Sequence, residues 1–247
     1  MNLKDFKKKL HILSKLPIHP QWYCTLDKTL NEKLANVPEN ARVLDIGCND
    51  QWPKKKIPTS CDYIGLDYTT TADGWYGNQP SVYGDAHQLP LESNSFDYVF
   101  LFDVLEHLEN PRQVIAEIFR VLKPNGCLLL EIPYIYPIHD APRDFSRLTE
   151  HGLNNLIQEN TNQPATIKAI GSPIQSAALI ANISYGLTCV NMLKRFKPLG
   201  ALMFLFIPLV SLLNNIVSFA LSGFNLRERD QNSITPYRYH LEARKDP

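Results

Sequence analysis

Val43-Leu44-Asp45-Ile46-Gly47-Cys48-Asn49-Asp50, followed by Ile64-Gly65-Leu66-Asp67, decides the fold of this chain. An apolar strand runs into an acidic residue and a glycine turn, and a second strand then closes on another acid. In an open α/β sheet, ligands sit outside the carboxyl ends of the strands. Two strand ends carrying acids are therefore expected to hold a nucleoside.

The flanking pattern extends this into a layered domain. Asp27 to Ala35 is expected to be helical and leads into a strand at Arg42 to Ile46. Further strands are expected at Tyr63 to Leu66, Val82-Tyr83 and Phe96 to Phe102, the last of them central. Asn110 and Pro111 are suited to the cap and first position of a helix reaching about Leu122. Lys123-Pro124-Asn125-Gly126 predicts a turn, and Cys127 to Ile132 a strand buried on both faces. A helix from Thr149-Glu150 to about Gln158, a strand at Ala165 to Ile170 and a late strand at Pro236 to Arg244 complete the pattern. Such alternation gives βαβ units. The link between Ile46 and Tyr63 holds Pro53 and Pro58 and is short for a crossover, which predicts a very short helix or an irregular connection.

Composition narrows the function classes. Among 247 residues the formal net charge is zero, so no nucleic-acid partner is expected. Cys24, Cys48, Cys61, Cys127 and Cys189 are odd in number and irregularly spaced, which predicts free thiols in a reducing compartment. Met1 to Leu16 carries four lysines but no apolar core and no small-residue cleavage site, so it reads as an amphipathic helix and not as a signal peptide. That helix could lie on an anionic bilayer or pack on its own domain.

Later in the chain, Ala169 to Leu193 is uncharged, Lys194-Arg195-Phe196-Lys197 is basic, and Pro198 to Leu226 is uncharged again. Three readings stay open: a bent or tilted span, a re-entrant or interfacial helix, and a soluble cap folded on itself. Peripheral or hairpin membrane contact is expected through 174–224, and the basic tetrad suits an anionic headgroup surface. The expected location is cytoplasmic, with association to the inner face of the membrane.

The chemistry concentrates in Asp45, Gly47, Asp67 and Asp85. Gly47 allows close ligand approach, Asp67 can accept both ribose hydroxyls, and Asp85 can accept from an adenine amino group. The glycine-rich pyrophosphate turn of dinucleotide sites is absent here. Neighbouring carboxylates would also repel a phosphate, so a phosphate-free ligand is favoured.

In order along the chain, Val43 to Cys48, Tyr63 to Asp67, Gly84-Asp85, Phe96 to Val99, Val104-Leu105-Glu106-His107-Leu108 and Leu122 to Gly126 closely resemble successive motifs of the class I S-adenosylmethionine-dependent methyltransferases, of the small-molecule, UbiE-like type. Tyr239 to Lys245 resembles the family's final antiparallel strand. The resemblance implies a Rossmann-like α/β fold: a mixed, mostly parallel seven-stranded sheet with a helical, apolar insertion before the last strand. The implied division is an N-terminal helical segment (1–38), the methyltransferase core (39–170), the insertion (171–232) and the final strand (233–247). It assigns Asp45, Gly47 and Cys48 to the methionine end of S-adenosylmethionine, Asp67 to the ribose, and Asp85 with Ala86 to the adenine. Asp103 would border the methionine moiety and the substrate entrance. The usual second glycine after Cys48 is Asn49 here.

For the methyl acceptor, Pro133 to Arg147 follows the fifth strand, where open-sheet enzymes place substrate groups. It resembles a loop in a methyltransferase subgroup linked to cell-envelope glycan or lipid modification. His139 is the expected general base, with Asp144 and Tyr134 beside it as catalytic residues. Pairing of Arg143 and Arg147 with Asp140 and Asp144 would serve only to pin the loop. Glu106-His107 offers an acid and a base, but the family pattern places it at the start of a structural helix. No third ligand to accompany an Asp-His pair can be named, so no metal is expected. The expected function is methyl transfer to a small or lipid-linked acceptor such as a glycan, a quinone-like molecule or an envelope lipid. The runner-up is a non-catalytic nucleoside-binding or assembly module that keeps the fold.

Overall fold

A computed structural model of the protein describes residues 15–69, 79–222 and 234–247. Strands β1 (Arg42–Ile46), β2 (Asp62–Asp67), β3 (Val82–Tyr83), β4 (Phe96–Phe102), β5 (Leu122–Pro133), β6 (Thr166–Ile170) and β7 (Arg238–Arg244) form one sheet in the order β3-β2-β1-β4-β5-β7-β6. The pairs β1 with β2, β1 with β4, β2 with β3 and β4 with β5 are parallel, and β7 runs antiparallel to β5. The sheet is mixed and mostly parallel, in a Rossmann-like α/β fold. The helical insertion lies between β6 and β7.

Side chains alternate across the pleat with a period of two. Leu44 and Ile46 of β1, Val99 and Leu101 of β4, and Leu128 and Leu130 of β5 enter the larger core. Val43, Phe100, Cys127 and Leu129 enter the core on the opposite face. Helix α1 (Thr29–Ala35) contributes Leu34 to the second core. Helices α2 (Pro111–Val121) and α3 (Glu150–Gln158) cover the first through Val114, Ile115, Ile118, Leu153 and Ile157. Burial on both faces explains why the central strands read as continuous apolar runs. Asn110 Oδ1 accepts from the Gln113 N–H, and Thr149 Oγ1 accepts from the Gly152 N–H, so both helices begin where the caps foretell.

Three expectations meet a different structure. Lys123-Pro124-Asn125-Gly126 is not a separate turn: it bulges within β5, where Phe96 pairs with Leu122 but Tyr98 already pairs with Cys127. Asn125 takes φ 62° there, so the turn chemistry is spent on the bulge. Leu105–His107 forms one 3-10 turn, not the start of an α-helix, which begins only at Pro111. The amphipathic helix expected at Leu3 to Leu16 lies almost wholly outside the described residues. The compressed first crossover is present as read, with a single 3-10 turn at Trp52–Lys55.

The chain packs as two compact units. The sheet and its covering helices form one, from residues 29–69, 79–134, 138–169 and 238–247. The other takes 15–28, 135–137, 170–222 and 234–237, with helices α4 (Pro173–Arg195), α5 (Lys197–Leu205) and α6 (Ile207–Ser222). A capping box starts α4, in which Ser172 and Gln175 exchange side-chain and backbone hydrogen bonds. Gly200 lets α5 close onto the end of α4, since a Cβ there would stand 2.2 Å from the Leu193 nitrogen.

This helical unit is polar inside and apolar outside. Asn182, Ser211, Asn215 and Ser218 are buried. Asn182 Nδ2 donates to Asn215 Oδ1, and Asn215 Nδ2 donates to the carbonyls of Pro17 and His19. Leu202, Leu205, Leu209, Leu213 and Ile216 are exposed. Pro173–Arg195 and Lys197–Ser222 are each long and apolar enough to cross a membrane by length and composition, and only 22% and 17% of their most apolar windows are buried. A core helix of a water-soluble bundle has the opposite distribution.

Candidate active site

The carboxyl end of β1 turns through three left-handed residues, Gly47 (φ 70°), Asn49 (φ 49°) and Gln51 (φ 56°). The N–H groups of Gly47 and Cys48 both donate to the Leu66 carbonyl, at 2.8 and 3.1 Å, which ties this turn to β2. A Cβ on Gly47 would stand 2.4 Å from Val104 Cγ2, so the position excludes a side chain on steric grounds as well as by its φ. Asn49 occupies the left-handed position where the family pattern has a glycine. Asparagine tolerates that conformation better than other side chains, so the loop keeps its shape.

Asp45 and Asp67 come together above these strand ends. Asp67 accepts from the Asn49 N–H at 3.1 Å and the Tyr68 N–H at 2.8 Å, which fixes both carboxylate oxygens while leaving lone pairs for hydroxyl donors. Asp45 is buried and accepts from the Tyr63 hydroxyl. Burial raises Asp45 to about 7, the Tyr63 hydrogen bond opposes the rise, and the neighbouring charges of Asp67 and Asp50 add to it. Cys48 is also buried and pushed up to about 12, so it is an inert thiol that packs under the loop. A buried acid beside a second carboxylate favours a cationic, hydroxyl-bearing ligand and disfavours a phosphate.

The remaining sequence-predicted residues take varied positions. Asp85 is exposed and bound to its neighbour His87, whose N–H donates to Oδ1 at 2.8 Å and holds the carboxyl below its ordinary range. Ala86 is buried in the larger core. Asp103 ends β4 with φ 52°, and its Oδ2 lies 3.4 Å from Arg238 Nη2. Arg238 also pairs with the buried Glu131, which His240 Nδ1 approaches at 3.0 Å. Tyr134 packs against the core with its ring 5.4 Å from that of Tyr239.

The loop after β5 closes onto the turn at Leu105–His107. The Phe145 N–H donates to the Glu106 carbonyl at 2.8 Å, and His107 Nδ1 meets the Arg143 carbonyl. Asp144 takes both Arg147 Nη atoms and the His139 N–H, and His139 Nδ1 stands 3.3 Å from it. The Arg147 hydrogen bonds lower Asp144 to about 2, so this carboxylate orients its neighbours and does not accept a proton at neutral pH. Arg147 with Asp144 does pin the loop, whereas Asp140 and Arg143 meet through a backbone turn.

One grouping was not legible in the sequence. Glu106, His107 and His139 place one ligand atom each within 4.8 Å of one another, so a third group does accompany the histidine of the loop. The Glu106 side chain is fully buried, and neither oxygen has a hydrogen-bond partner among the described residues. Burial first, then the Asp103 charge, raises Glu106 to about 8. The only sequence signal was an acid inside the apolar run Val104 to Leu108; nothing in the spacing brings His139 to it.

A family model described as a methyltransferase domain matches residues 44–130, the segment that carries β1 to β5. A sterol 24-C-methyltransferase from Schizosaccharomyces pombe is 36% identical over 36% of this chain and 27% of its own length. A demethylmenaquinone methyltransferase from Bacillus pumilus is 30% identical over 45% of this chain and 51% of its own. The chain thus spans between about a quarter and about half of these curated relatives. A SAM-dependent methyltransferase from Thermotoga maritima shares the fold at a TM-score of 0.53 and 13% identity, covering 98% of this chain and 97% of that one. Sheet order, the acid-bearing strand ends and the matched segment agree: the chain carries a class I S-adenosylmethionine-dependent methyltransferase domain.

Proposed function

We propose that this chain transfers a methyl group from S-adenosylmethionine to an acceptor held in or on a membrane: a lipid-linked glycan, a quinone-like molecule or an envelope lipid. The observation that carries the membrane part is the inverted helical unit, with Asn182 and Asn215 inside and Leu205, Leu209 and Leu213 outside. The two curated relatives act by name on a sterol and on demethylmenaquinone, and both acceptors are apolar.

The cofactor supplies an electrophilic methyl on a sulfonium. Asp45, Gly47 and Cys48 would receive its methionine end, with the ionised Asp45 facing positive charge. Asp67 would accept the ribose hydroxyls, and Asp85 with Ala86 would meet the adenine. Asp103 would border the transferable methyl. Displacement at carbon demands alignment above all, and rigid strand ends provide it. An acceptor that begins protonated would lose its proton at His139, with Asp144 holding that ring and Tyr134 flanking it.

For the helical unit, lying in the membrane surface is favoured over crossing it. Lys194, Arg195 and Lys197 stand where α4 turns into α5, and a crossing hairpin would carry three cations through the bilayer. An interfacial hairpin leaves them among the headgroups. The test is a calorimetric titration of full-length protein with S-adenosylmethionine, with NAD as control, alongside flotation with vesicles containing phosphatidylglycerol. Binding of S-adenosylmethionine alone together with co-flotation is the expected result. A folded protein that binds neither S-adenosylmethionine nor vesicles would overturn the reading.

A further inference from the structure

We propose that Glu106, His107 and His139 form a binding site for one divalent first-row cation of the zinc type. Glu106 Oε1 lies 3.7 Å from His107 Nε2 and 3.9 Å from His139 Nε2, and all three ligand atoms fall within 4.8 Å of one another. The two rings meet edge to face with centroids 4.8 Å apart, an arrangement that turns both Nε2 atoms toward one carboxylate.

The surroundings fix the tautomers needed for ligation. His107 Nδ1 faces the Arg143 carbonyl, which can only accept, so the proton sits on Nδ1 and the lone pair on Nε2. His139 Nδ1 stands 3.3 Å from the Asp144 carboxylate, which sets the same tautomer. Metal-bound histidines characteristically give their other N–H to a backbone carbonyl or a carboxylate, and here one ring has each. Arg147 in turn holds Asp144 through two hydrogen bonds.

The independent sign of a ligand is Glu106 itself. Its side chain is fully buried, yet both oxygens lack a hydrogen-bond partner among the described residues. Leaving a buried carboxylate unsatisfied costs about 1–3 kcal/mol or more, and a cation between the three groups removes that cost. Bonds of about 2.0–2.2 Å to each ligand would draw the three atoms to roughly 3–3.5 Å apart. Side-chain rotation of an ångström or less accomplishes this. Two imidazoles and one carboxylate suit zinc-type ions and not magnesium, which prefers an all-oxygen shell. Three protein ligands also leave positions open, as catalytic sites do.

The role of the site rests on the methyl-transfer reading. An acceptor hydroxyl or acid oxygen in an open position would give up its proton to water. That oxygen would then bond to the methyl carbon as the carbon–sulfur bond breaks and its electron pair returns to sulfur. His139 then serves as a ligand instead of as the base.

Full-length protein stripped with chelator is titrated with Co²⁺, followed by its visible absorption, and with Zn²⁺ in competition. S-adenosylmethionine binding is measured on the same samples. One equivalent of Co²⁺ displaced by Zn²⁺ is expected, with binding weakened at least tenfold in Glu106→Gln and in His139→Gln. Both variants should keep S-adenosylmethionine affinity, which shows that they are folded. Wild type that binds S-adenosylmethionine but takes up neither ion, or variants that bind Co²⁺ as wild type does, would overturn the site. Uptake of one ion with the expected losses but no S-adenosylmethionine binding by wild type would sustain the site and sink the methyltransferase reading.

Discussion

Asn182 Nδ2 donates to Asn215 Oδ1 across 2.9 Å, and both side chains are buried in a helical unit whose outer surface is leucine, isoleucine and phenylalanine. In water this distribution would be inverted. At a bilayer it is what the solvent demands, because apolar side chains face lipid and polar groups satisfy each other inside.

Asn215→Ala removes the acceptor for Asn182 and the donor to the Pro17 and His19 carbonyls. Each buried group left unpaired costs about 1–3 kcal/mol. The helical unit should therefore become susceptible to limited proteolysis in vesicles at a temperature where wild type resists. Equal resistance would show that the pair contributes nothing.

Two kinds of surface change separate apolar from electrostatic membrane binding. Leu209→Lys with Leu213→Lys should reduce flotation with both neutral and anionic vesicles. Replacing Lys194, Arg195 and Lys197 by glutamine should reduce it only with anionic vesicles. Near a headgroup surface each cation is worth about 1 kcal/mol, so the triple change should cost on the order of a hundredfold in partitioning. Insensitivity to both sets would leave the exposed leucines without a membrane role.

Asp67→Ala should weaken S-adenosylmethionine binding by about ten- to a hundredfold, since bonds to a charged acceptor contribute about 1.5–3 kcal/mol each. Calorimetry on the folded variant measures this directly. Unchanged affinity would remove Asp67 from the ribose role.

Asp45 gives a pH dependence with a definite sign. Its carboxyl rises from about 3.8 to about 7 on folding, chiefly through burial. The folded state then holds a proton that the unfolded chain releases, so the group's contribution to stability is full below about pH 4 and lost as pH rises through 7. Asp45→Asn stays neutral throughout. Its stability advantage over ligand-free wild type should be near zero at pH 4 and grow to on the order of a few kcal/mol by pH 8. Thermal melts of both proteins across that range measure the difference, and a gap that does not change with pH would contradict the assignment.

Much of the fold was legible because strand burial is written in composition. Phe96 to Phe102 and Cys127 to Ile132 are apolar on both pleat faces, and Asn110-Pro111 marks its helix start. The bulge at Asn125 was not legible, because the same residues serve an isolated turn and a kink inside a paired strand. Asp45, Gly47 and Asp67 could be read from strand ends, since local sequence puts them there. Glu106 beside His139 could not, because that contact depends on how the loop after β5 folds back through the Phe145 and Arg143 hydrogen bonds. The uncharged stretches announced an apolar insertion, but helical spacing alone did not reveal that Asn182 and Asn215 face inward.

Methyl transfer itself is the most direct test. Full-length protein is incubated with S-adenosylmethionine labelled in its methyl group and with vesicles made from a total bacterial envelope lipid extract, and the products are partitioned between organic and aqueous phases. Label entering the lipid or lipid-linked glycan fraction, and lost with Asp67→Ala, is the expected result. No label in that fraction, from wild type shown to bind both S-adenosylmethionine and the vesicles, would contradict a membrane-borne acceptor in that extract.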